Sequence, residues 1–302
     1  MAILLSTYNG EQFLAEQLDS FLTQTHANWM LYWRDDRSAD GTVPLLADFA
    51  ARVGPKVRAG LPCGGHLYVT RSYLTLLAAA RDGDADLFAF ADQDDVWLPH
   101  KLRRGVAALA AVPAGVPALY CSRTVLVDAR LRRIALSAPI RRPPGFPTAL
   151  TQNIATGCTA ILNRAAADLV LASKPPSGTL HDWWSYLIVA AAGGRILTDP
   201  EAGVLYRQHP GNLIGAPPGL LRRGIAAFRR GPGVFMGIVR QHVAALEAQP
   251  HLLSEPARRD LAVIARGLRG GMRERRAALR LPGFVRQTWP EDMVFRLWFM
   301  LG

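Results

Sequence analysis

The chain has 302 residues, of which half are hydrophobic and a fifth are charged. This composition is typical of a folded globular protein and excludes a disordered, a collagen-like or a polytopic membrane protein. No stretch approaches the roughly 18 apolar residues of a membrane-spanning helix, and the sequence starts on an apolar, strand-like run instead of a charged leader. The three cysteines are widely spaced and fit neither a disulfide framework nor paired zinc ligands. We therefore expect a cytoplasmic protein in a reducing compartment.

The formal charge of +11 is unevenly distributed along the chain. Residues 216–302 contain 15 Arg and 6 acidic residues, a net charge of +9, whereas residues 1–215 contain 20 basic and 18 acidic residues, a net charge of +2. A basic region attached to a nearly neutral body indicates a polyanionic partner. Nucleic acid and an anionic membrane surface both fit this description.

Short apolar runs alternate with helix-period segments over the first hundred residues, which is the pattern of an α/β sheet. The predicted strands are residues 2–6, 30–33 and 87–91, and the predicted helices are residues 11–22, 42–52, 72–80 and 99–111. Each polar cluster falls where a strand gives way to a helix. Ligands of open α/β sheets bind at this position, the carboxyl ends of the strands.

The pattern changes after a Pro/Gly-rich stretch at residues 112–117. The predicted order is a strand (118–127), an irregular loop (141–147), a strand or turn that continues as a helix (156–169), a helix (183–192) and two short strands (195–198 and 203–207). Beyond residue 217 the chain is Arg-rich and helical in period, with breaks expected at 231–233, 250 and 282. We expect a principal domain over 1–215, with halves 1–111 and 112–215, and a basic helical region over 216–302.

The strongest local feature is Asp92-Gln93-Asp94-Asp95, in which three carboxylates follow an apolar strand. Packed acids raise one another's pKa, so a fold that keeps them near its core needs a compensating cation. Oxygen ligands of this kind suit Mg²⁺ or Mn²⁺ bound to a substrate's phosphates. A solvated turn with a helix N-cap is the alternative interpretation.

Two further polar loops follow the first and second strands. They are Ser6-Thr7-Tyr8-Asn9-Gly10 and Arg34-Asp35-Asp36-Arg37-Ser38-Ala39-Asp40-Gly41. A parallel sheet would bring both into one crevice with the acidic cluster, where a carboxylate can accept from a base or a ribose and Tyr8 can stack on a base. Ordinary turn chemistry explains each loop equally well when it is taken alone. Neither a Gly-x-Gly-x-x-Gly motif nor a Gly-Lys-Ser/Thr phosphate loop is present, which argues against NAD enzymes and ATPases.

These motifs, in this order and spacing, resemble the family 2 glycosyltransferases with the GT-A fold. The resemblance spans about residues 1–215 and is closest to bacterial rhamnosyltransferases that build surface polysaccharides. It also includes the segments Thr156-Gly157-Cys158-Thr159, His181-Asp182-Trp183-Trp184 and Tyr206-Arg207-Gln208-His209-Pro210-Gly211-Asn212.

The resemblance implies a nucleotide-sugar pocket and a metal site. The implied nucleotide-sugar ligands are Thr7, Tyr8, Asn9, Asp35, Asp36, Arg71, Asp92 and Arg207. Asp94 would ligate a cation directly, Asp92 would lie near the ribose and the metal, and His209 would approach the metal or the diphosphate. Arg37 stands where relatives usually have glycine, the residue that most readily adopts positive φ.

The resemblance also implies a catalytic base, Asp182, at the start of an apolar helix. Inverting glycosyl transfer needs a base within reach of the acceptor hydroxyl and a neutralised leaving diphosphate. A helix N-cap is the alternative role for Asp182. Trp183 and Trp184 would stack on acceptor sugars, although aromatic pairs in apolar helices usually belong to the core.

We therefore expect a GT-A-like α/β glycosyltransferase that uses Mg²⁺ or Mn²⁺, a nucleotide-diphosphate sugar and a saccharide or lipid-linked acceptor, without a nucleic-acid partner. The alternatives are a nucleic-acid-binding protein, whose affinity would fall steeply with salt, and a nucleotidyltransferase on a related fold. Residues 216–302 are predicted to bind the inner face of an anionic membrane. In a second interpretation, their aromatic residues, among them Trp289, Phe295, Trp298 and Phe299, pack on the catalytic domain.

Overall fold

The structure is a computed structural model that describes residues 1–58, 60–61, 65–210 and 220–302, with the side chains of 220–232 left undescribed. Several features singled out from the sequence therefore lie outside the described residues. They are Cys63, which has a metal-ligand spacing with His66, the end of the last motif (Gly211 and Asn212), and the side chains of Leu220, Leu221, Arg222, Arg223, Ile225, Phe228, Arg229 and Arg230.

The first half of the chain alternates strands and helices, as predicted. Strands β1 (Ala2–Thr7), β2 (Met30–Asp35) and β3 (Leu87–Ala91) are joined by helices α1 (Glu11–Leu22), α2 (Thr42–Val53) and α3 (Tyr68–Arg81). β1 lies between β2 and β3 and is parallel to both, with Thr7 opposite Asp35 and Leu5 opposite Ala91. Consequently the loops that follow all three strands leave the same edge of the sheet.

The second half completes one mixed sheet. Its elements are β4 (Val96–Trp97), α4 (Lys101–Ala110), β5 (Ala118–Val127), β6 (Arg133–Leu136), α5 (Thr148–Thr151), β7 (Ile161–Asn163), α6 (Arg164–Ala172), α7 (His181–Ala191) and β8 (Arg195–Arg207). The strand order is β2-β1-β3-β7-β5-β8-β4, and β6 pairs with β5. β7 is antiparallel to β3, so the run of parallel strands in the first half ends at β3.

Three sequence predictions differ from the structure here. β8 is one strand and not two, because a register shift against β5 leaves Pro200 and Glu201 without ladder partners and so accommodates a residue that cannot donate. The short strands β4 and β6 carry too little periodicity to be predicted. The break expected at Gly231–Gly233 is also wrong.

The C-terminal region consists of α8 (Leu220–Glu247), α9 (Glu255–Arg269), α10 (Met272–Leu279) and α11 (Trp289–Leu301). α8 continues through Gly231, Pro232 and Gly233 despite their poor helix propensity. The turns that follow bury Met236, Val239 and Val243, and tertiary packing of this kind commonly outweighs local propensity.

Apolar side chains cover both faces of the sheet. One hydrophobic cluster packs α1, α2 and α4 against one face, and a larger cluster packs α3, α6 and α7 against the other. Phe295, Trp298 and Phe299 of α11 belong to the larger cluster and are buried. Their ring contacts are with Phe235, Phe284 and one another, so these three aromatics are buried within the C-terminal region, and whether that region binds a membrane stays a prediction.

Candidate active site

The first and third polar loops are joined by one side chain, Gln93. Its Oε1 accepts the backbone N–H of Tyr8 at 2.7 Å, and its Nε2 donates to the Tyr8 carbonyl at 2.9 Å. Gly10 lies against the same amide, where a Cβ would come within 2.5 Å of it. The ring of Tyr8 is half exposed, 5.1 Å from that of His66, and is free to stack on a planar ligand.

The second loop is a network of satisfied hydrogen bonds. Asp35 accepts from the hydroxyls of Thr7 (3.0 Å) and Ser38 (2.6 Å) and from the Ser38 N–H. Asn9 connects the first loop to the second through its side-chain oxygen, which accepts the N–H of Ala39. One acceptor position of Asp35 remains for a ligand.

Asp36 is engaged by the protein itself, and its predicted role in nucleotide binding stays a prediction. It is buried and accepts from Arg34 and from the N–H groups of Leu67 and Tyr68, while His66 contacts its second oxygen at 2.9 Å. Burial alone would raise the pKa of Asp36, but the bonds from Leu67, Arg34 and Tyr68 lower it. Three donors hold the carboxylate, and His66 Nδ1 lies near both its second oxygen and the Asp36 carbonyl, so Asp36 organises the loop.

Arg37 adopts the left-handed conformation that glycine would have adopted, with φ of 72°. Arg71 is exposed on α3, next to Ser72, whose hydroxyl contacts that of Ser6. The predicted nucleotide contact of Arg71 stays a prediction.

The third loop places Asp92 in a desolvated position. Its Oδ1 accepts the hydroxyl of Tyr73 at 2.8 Å, and that hydroxyl also lies 2.7 Å from the carbonyl of Ala91. Burial and repulsion from Asp94 raise the pKa of Asp92 to about 7, although the Tyr73 bond opposes the rise. A half-buried carboxylate with a raised pKa and a carboxylate neighbour is the arrangement that a cation stabilises.

Asp94 and His209 meet across 115 residues of sequence, with Oδ2 and Nε2 2.9 Å apart. Both side chains retain some exposure, at 18% and 16%. The ring of His209 also packs on Phe13, with centroids 4.8 Å apart. The predicted approach of His209 to a metal or a diphosphate stays a prediction, and the contact places the two side chains together.

Arg207 does not have the predicted role of a phosphate ligand. It is buried, and its guanidinium donates to the carbonyls of Asp94 (2.7 Å) and Ala129 (2.6 Å) and to the carboxylate of Glu16. The same group lies 4.4 Å above the ring of Phe13. Arg207 therefore holds the backbone of the acidic loop in place.

The inner side of the acidic loop is a buried polar cluster. Asp95 accepts the N–H of Arg207 at 3.1 Å, and burial and repulsion from Asp92 raise its pKa well above the usual value. Asp92, Asp95 and Cys158 offer ligand atoms within 4.8 Å of one another. Burial and the nearby Asp95 also raise the pKa of the Cys158 thiol, so at neutral pH it is a poor ligand for Mg²⁺ or Mn²⁺.

Lys101 lies behind this cluster and is fully buried. Its Nζ lies 3.4 Å from the centroid of the Trp97 ring and has no hydrogen-bond partner among the described residues. Burial lowers its pKa to about 7, although the charges of Cys158, Asp95 and Asp92 oppose that shift.

Asp182 occupies the first turn of α7, where both oxygens are engaged by N–H donors. Oδ2 accepts the N–H of Gly157 at 3.0 Å, and Oδ1 accepts that of Trp183 at 2.6 Å. Burial raises the pKa of Asp182 to about 6, against the opposing hydrogen bonds from Trp183, Asn153 and Gly157. The N-cap of α7 is Leu180, so Asp182 is not at the N-cap position, and its Oδ2 connects the helix to the loop of Gly157.

Trp184 is fully buried, and its Nε1 donates to Ser173 at 2.7 Å. The prediction that it binds an acceptor sugar is therefore wrong, because the fold uses it as core. Trp183 is half-buried and donates to the carbonyl of Ala149 at 2.8 Å.

The side chains on the outer side of the loop have the chemistry of divalent-cation ligands, although Asp92 is grouped by distance with Asp95 and Cys158 and only Asp94 and His209 are in direct contact. Asp92 and Asp94 supply carboxylate oxygens, His209 supplies an imidazole nitrogen, and the raised pKa of Asp92 indicates that the protein alone compensates these acids incompletely. Carboxylates with an imidazole are ligands that Mg²⁺ and Mn²⁺ accept.

Sequence reasoning missed Tyr73, Gln93 and Lys101 as parts of the site. Tyr73 lies on the apolar face of α3, and Lys101 lies in the first turn of α4, where a cation usually faces solvent. Of these three residues, only Gln93 had a sequence feature that could have indicated a role in the site, namely its position between two acidic residues.

The sequence matches the family described as "Glycosyl transferase family 2" over residues 2–170, which is more than half of the chain. The chain belongs to this family and is a glycosyltransferase. This assignment decides against the nucleotidyltransferase and the nucleic-acid-binding alternatives as the class of protein.

Curated relatives agree with this class. The chain is 25% identical over 228 residues, 70% of this chain and 74% of the relative, to the dTDP-rhamnosyl transferase RfbG of Shigella flexneri. It is 27% identical over 114 residues, 36% of this chain and 40% of the relative, to a UDP-Glc:alpha-D-GlcNAc-diphosphoundecaprenol beta-1,3-glucosyltransferase, WfgD, of Escherichia coli.

Solved structures establish the GT-A fold, a curled open sheet flanked by helices. S. aureus TarS 1-349 in complex with UDP-GlcNAc has a TM-score of 0.59 at 14% identity, covering 92% of this chain and 78% of that one. The mannosyltransferase PcManGT from Pyrobaculum calidifontis, in complex with GDP-Man and Mn²⁺, has a TM-score of 0.51 at 18% identity, covering 99% and 85%.

Proposed function

We propose that the protein transfers a sugar, with inversion, from a nucleotide-diphosphate donor to a hydroxyl of a saccharide acceptor. The observation that carries the proposal is the contact between Asp94 and His209 in the loops after β3 and β8, beside Asp92, whose pKa is raised by burial and by the charge of Asp94, with Asp182 as a separate buried carboxylate. Two carboxylate environments allow one to bind the donor and the other to act on the acceptor. The catalytic domain in this proposal is residues 1–215.

Asp94 and Asp92, with His209, would hold a divalent cation, Mg²⁺ or Mn²⁺, whose chemistry is to neutralise the charge of the leaving diphosphate. Arg207 and Tyr73 position these ligands, since one fixes the Asp94 backbone and the other the Asp92 carboxylate. A structural relative was solved with GDP-Man and Mn²⁺, which supports a divalent ion in this fold.

Tyr8 would stack on the base, and Thr7, Asn9 and Asp35 would shape the pocket that receives the nucleotide. The support is the exposure of Tyr8 and the hydrogen bonds that tie Asn9 and Asp35 into one loop assembly. Exposed Arg71 would contribute a positive charge beside the nucleotide.

Asp182 would accept the proton of the acceptor hydroxyl as that oxygen attacks the anomeric carbon. A pKa of about 6 leaves Asp182 mostly ionised at neutral pH and makes it a stronger base than an ordinary aspartate. Trp183, which follows it directly and is half-buried, would contact the acceptor sugar.

The proposed donor is dTDP-rhamnose, and the proposed acceptor is a saccharide or a lipid-linked saccharide. The relative RfbG, named a dTDP-rhamnosyl transferase, supports the donor, and WfgD, whose name includes a diphosphoundecaprenol substrate, supports a lipid-linked acceptor. A lipid-linked acceptor would place the protein at the inner face of the cytoplasmic membrane.

A thermal-shift screen of the purified protein with dTDP-, UDP- and GDP-sugars, each with Mn²⁺, Mg²⁺ or EDTA, tests the proposal. Donor binding stabilises the folded state by mass action, so we expect the melting temperature to rise with dTDP-rhamnose and a cation, and not with EDTA. Stabilisation that persists in EDTA would contradict the metal assignment, and a response to another sugar only would contradict the donor.

A further inference from the structure

The outer face of α11 carries an exposed apolar stripe. It comprises Trp289, Met293, Leu297 and Leu301, which are 70%, 47%, 55% and 72% exposed. A spacing of four residues keeps them near one side of a helix, opposite the side on which Phe295, Trp298 and Phe299 are buried. α11 therefore has apolar residues on two faces, and only one face is used by the core.

An arginine row lies on the neighbouring helix α10. Arg273, Arg276 and Arg280 are exposed at helical spacing, and none of them has a side-chain hydrogen bond or ion pair within the described part of the chain. The two helices are held side by side: Arg275 donates to the Met300 carbonyl at 2.8 Å and Arg296 to the Leu279 carbonyl at 3.0 Å. The stripe and the arginine row are thus carried by one rigid pair.

Acidic groups near this pair are already used. Glu274 accepts the N–H of Gly271 at 3.0 Å, and Glu291 accepts the hydroxyl of Thr288 at 2.9 Å, so both act within their own helix starts. Asp292 is buried and accepts from Arg296. These acids therefore do not neutralise the exposed arginines of the helix pair.

We propose that this α10–α11 face binds the surface of an anionic lipid bilayer, with the stripe in the headgroup region and the arginine row on the phosphates. Membrane-surface helices combine Trp and Leu with flanking basic residues in this way. A 13-residue helix with an exposed stripe is about 20 Å long, which suits shallow insertion along its whole length. Among the described residues, no helix is long and apolar enough to span a membrane.

Charge favours a bilayer over a second copy of the chain. A symmetric contact that buried the stripe would bring the two arginine rows onto one interface, where like charges oppose association. Anionic headgroups instead complement the row.

The face is also tied to the candidate active site. The segment before α11 is fixed to the acceptor half, because the hydroxyls of Thr148 and Thr151 donate to the carbonyls of Gly283 and Val285, each at 2.8 Å. The same short helix, α5, accepts the indole N–H of Trp183, next to Asp182. A bilayer under α11 would therefore hold the acceptor half at a fixed distance from the membrane surface. The benefit to catalysis rests on the proposed function, whereas the binding of the α10–α11 face to the bilayer does not.

Vesicle flotation of the full-length protein tests the proposal. We expect flotation with phosphatidylglycerol-containing vesicles at low salt, release at high salt, and no flotation with pure phosphatidylcholine. Trp289 is the only strongly exposed tryptophan, since the other six are buried or half-buried, so its emission should shift to the blue and be quenched by brominated lipids. A folded protein that fails to float at low salt would overturn the proposal.

Two triple variants locate the contact. Trp289→Gln/Met293→Gln/Leu297→Gln and Arg273→Gln/Arg276→Gln/Arg280→Gln should each weaken vesicle binding on the order of tenfold or more. Their controls are Leu22→Gln/Val43→Gln/Ile134→Gln and Arg103→Gln/Arg130→Gln/Arg133→Gln, which change exposed residues elsewhere and should bind as the unmodified protein does.

Three outcomes would contradict this assignment. They are unchanged binding by the stripe variant, equal losses in the controls, and a dimer that the stripe variant abolishes without vesicle binding. Donor-induced thermal shifts should be the same in all four variants. A missing donor response with intact flotation would instead count against the proposed function alone.

Discussion

Two acidic loops leave the same edge of the sheet, from strands β2 and β3 on either side of β1, and behave in opposite ways. After β2, Asp36 is buried but accepts from Arg34, Leu67 and Tyr68, and its pKa is lowered. After β3, Asp92 is half-buried with Tyr73 as its donor and Asp94 as a like-charged neighbour, and its pKa is raised to about 7.

The difference distinguishes a carboxylate that stabilises the fold from a carboxylate that can bind a ligand. A carboxylate held by several donors of the protein stabilises the fold and has fewer lone pairs left for a ligand. A carboxylate that is desolvated and crowded by like charge is costly until a cation or a proton compensates it. Asp182, with a pKa near 6, resembles the second kind.

Asp182→Asn should have the largest effect on turnover. The amide keeps the shape of the side chain and much of its hydrogen-bonding capacity but cannot take a proton, so kcat should fall on the order of 10²- to 10⁴-fold with donor affinity unchanged. Steady-state kinetics with a donor titration measure both quantities. A lower melting temperature with turnover retained would identify Asp182 as a structural residue.

Asp36→Asn should have the largest effect on stability. It breaks a buried ion pair and leaves the Arg34 guanidinium incompletely paired, which should lower the free energy of unfolding by about 3 kcal/mol. Urea denaturation at neutral pH gives this value, and the matched variant Asp19→Asn, whose carboxylate pairs with Arg52 at an exposed position, should change it by less than about 1 kcal/mol. Equal effects of the two variants would contradict the scaffold role.

The pH dependence of kcat, measured with saturating donor and cation so that the metal-site carboxylates stay ionised, should reflect Asp182. The base works only when ionised, so activity should be full above a pKa of about 6 and fall about tenfold per pH unit below it. An ordinary aspartate would keep activity down to about pH 4. A profile flat from pH 7 to pH 5 would contradict the raised pKa.

Arg37→Gly should have the smallest effect. Glycine relieves the left-handed strain of the folded state, which stabilises the protein, but it also increases the conformational entropy of the unfolded chain, which destabilises it. The free energy of unfolding should therefore change by less than about 1 kcal/mol. Arg37→Val, which adds β-branching at φ of 72°, should destabilise by at least about 1 kcal/mol. Denaturation curves of both variants check the sign.

Local pattern predicted the fold of the first half well, because each strand and helix there has a clear period. α1 and β3 begin and end at the predicted residues. The joined strand β8 escaped prediction because its bulge depends on the register with β5, which local sequence does not reveal.

The sequence predicted where the site residues lie better than it predicted what each of them does. Asp36, Arg207 and Trp184 lie where the motifs suggest, yet all three are saturated or buried by partners distant in sequence: Glu16 and Arg207, for example, are 191 residues apart. Whether a motif residue faces a ligand or the protein depends on such contacts. Sequence alone could not distinguish the two acidic loops for this reason.

The most direct test is isothermal titration of dTDP-rhamnose into Asp94→Asn and Asp36→Asn in the presence of Mn²⁺, below the melting temperature of each variant. The account predicts that Asp94→Asn loses metal-dependent donor binding while remaining as stable as the unmodified protein, and that Asp36→Asn binds donor normally although it is less stable. Metal-dependent binding that survives in Asp94→Asn, or is lost in folded Asp36→Asn, would contradict the division between a ligand-binding and a structural acidic loop.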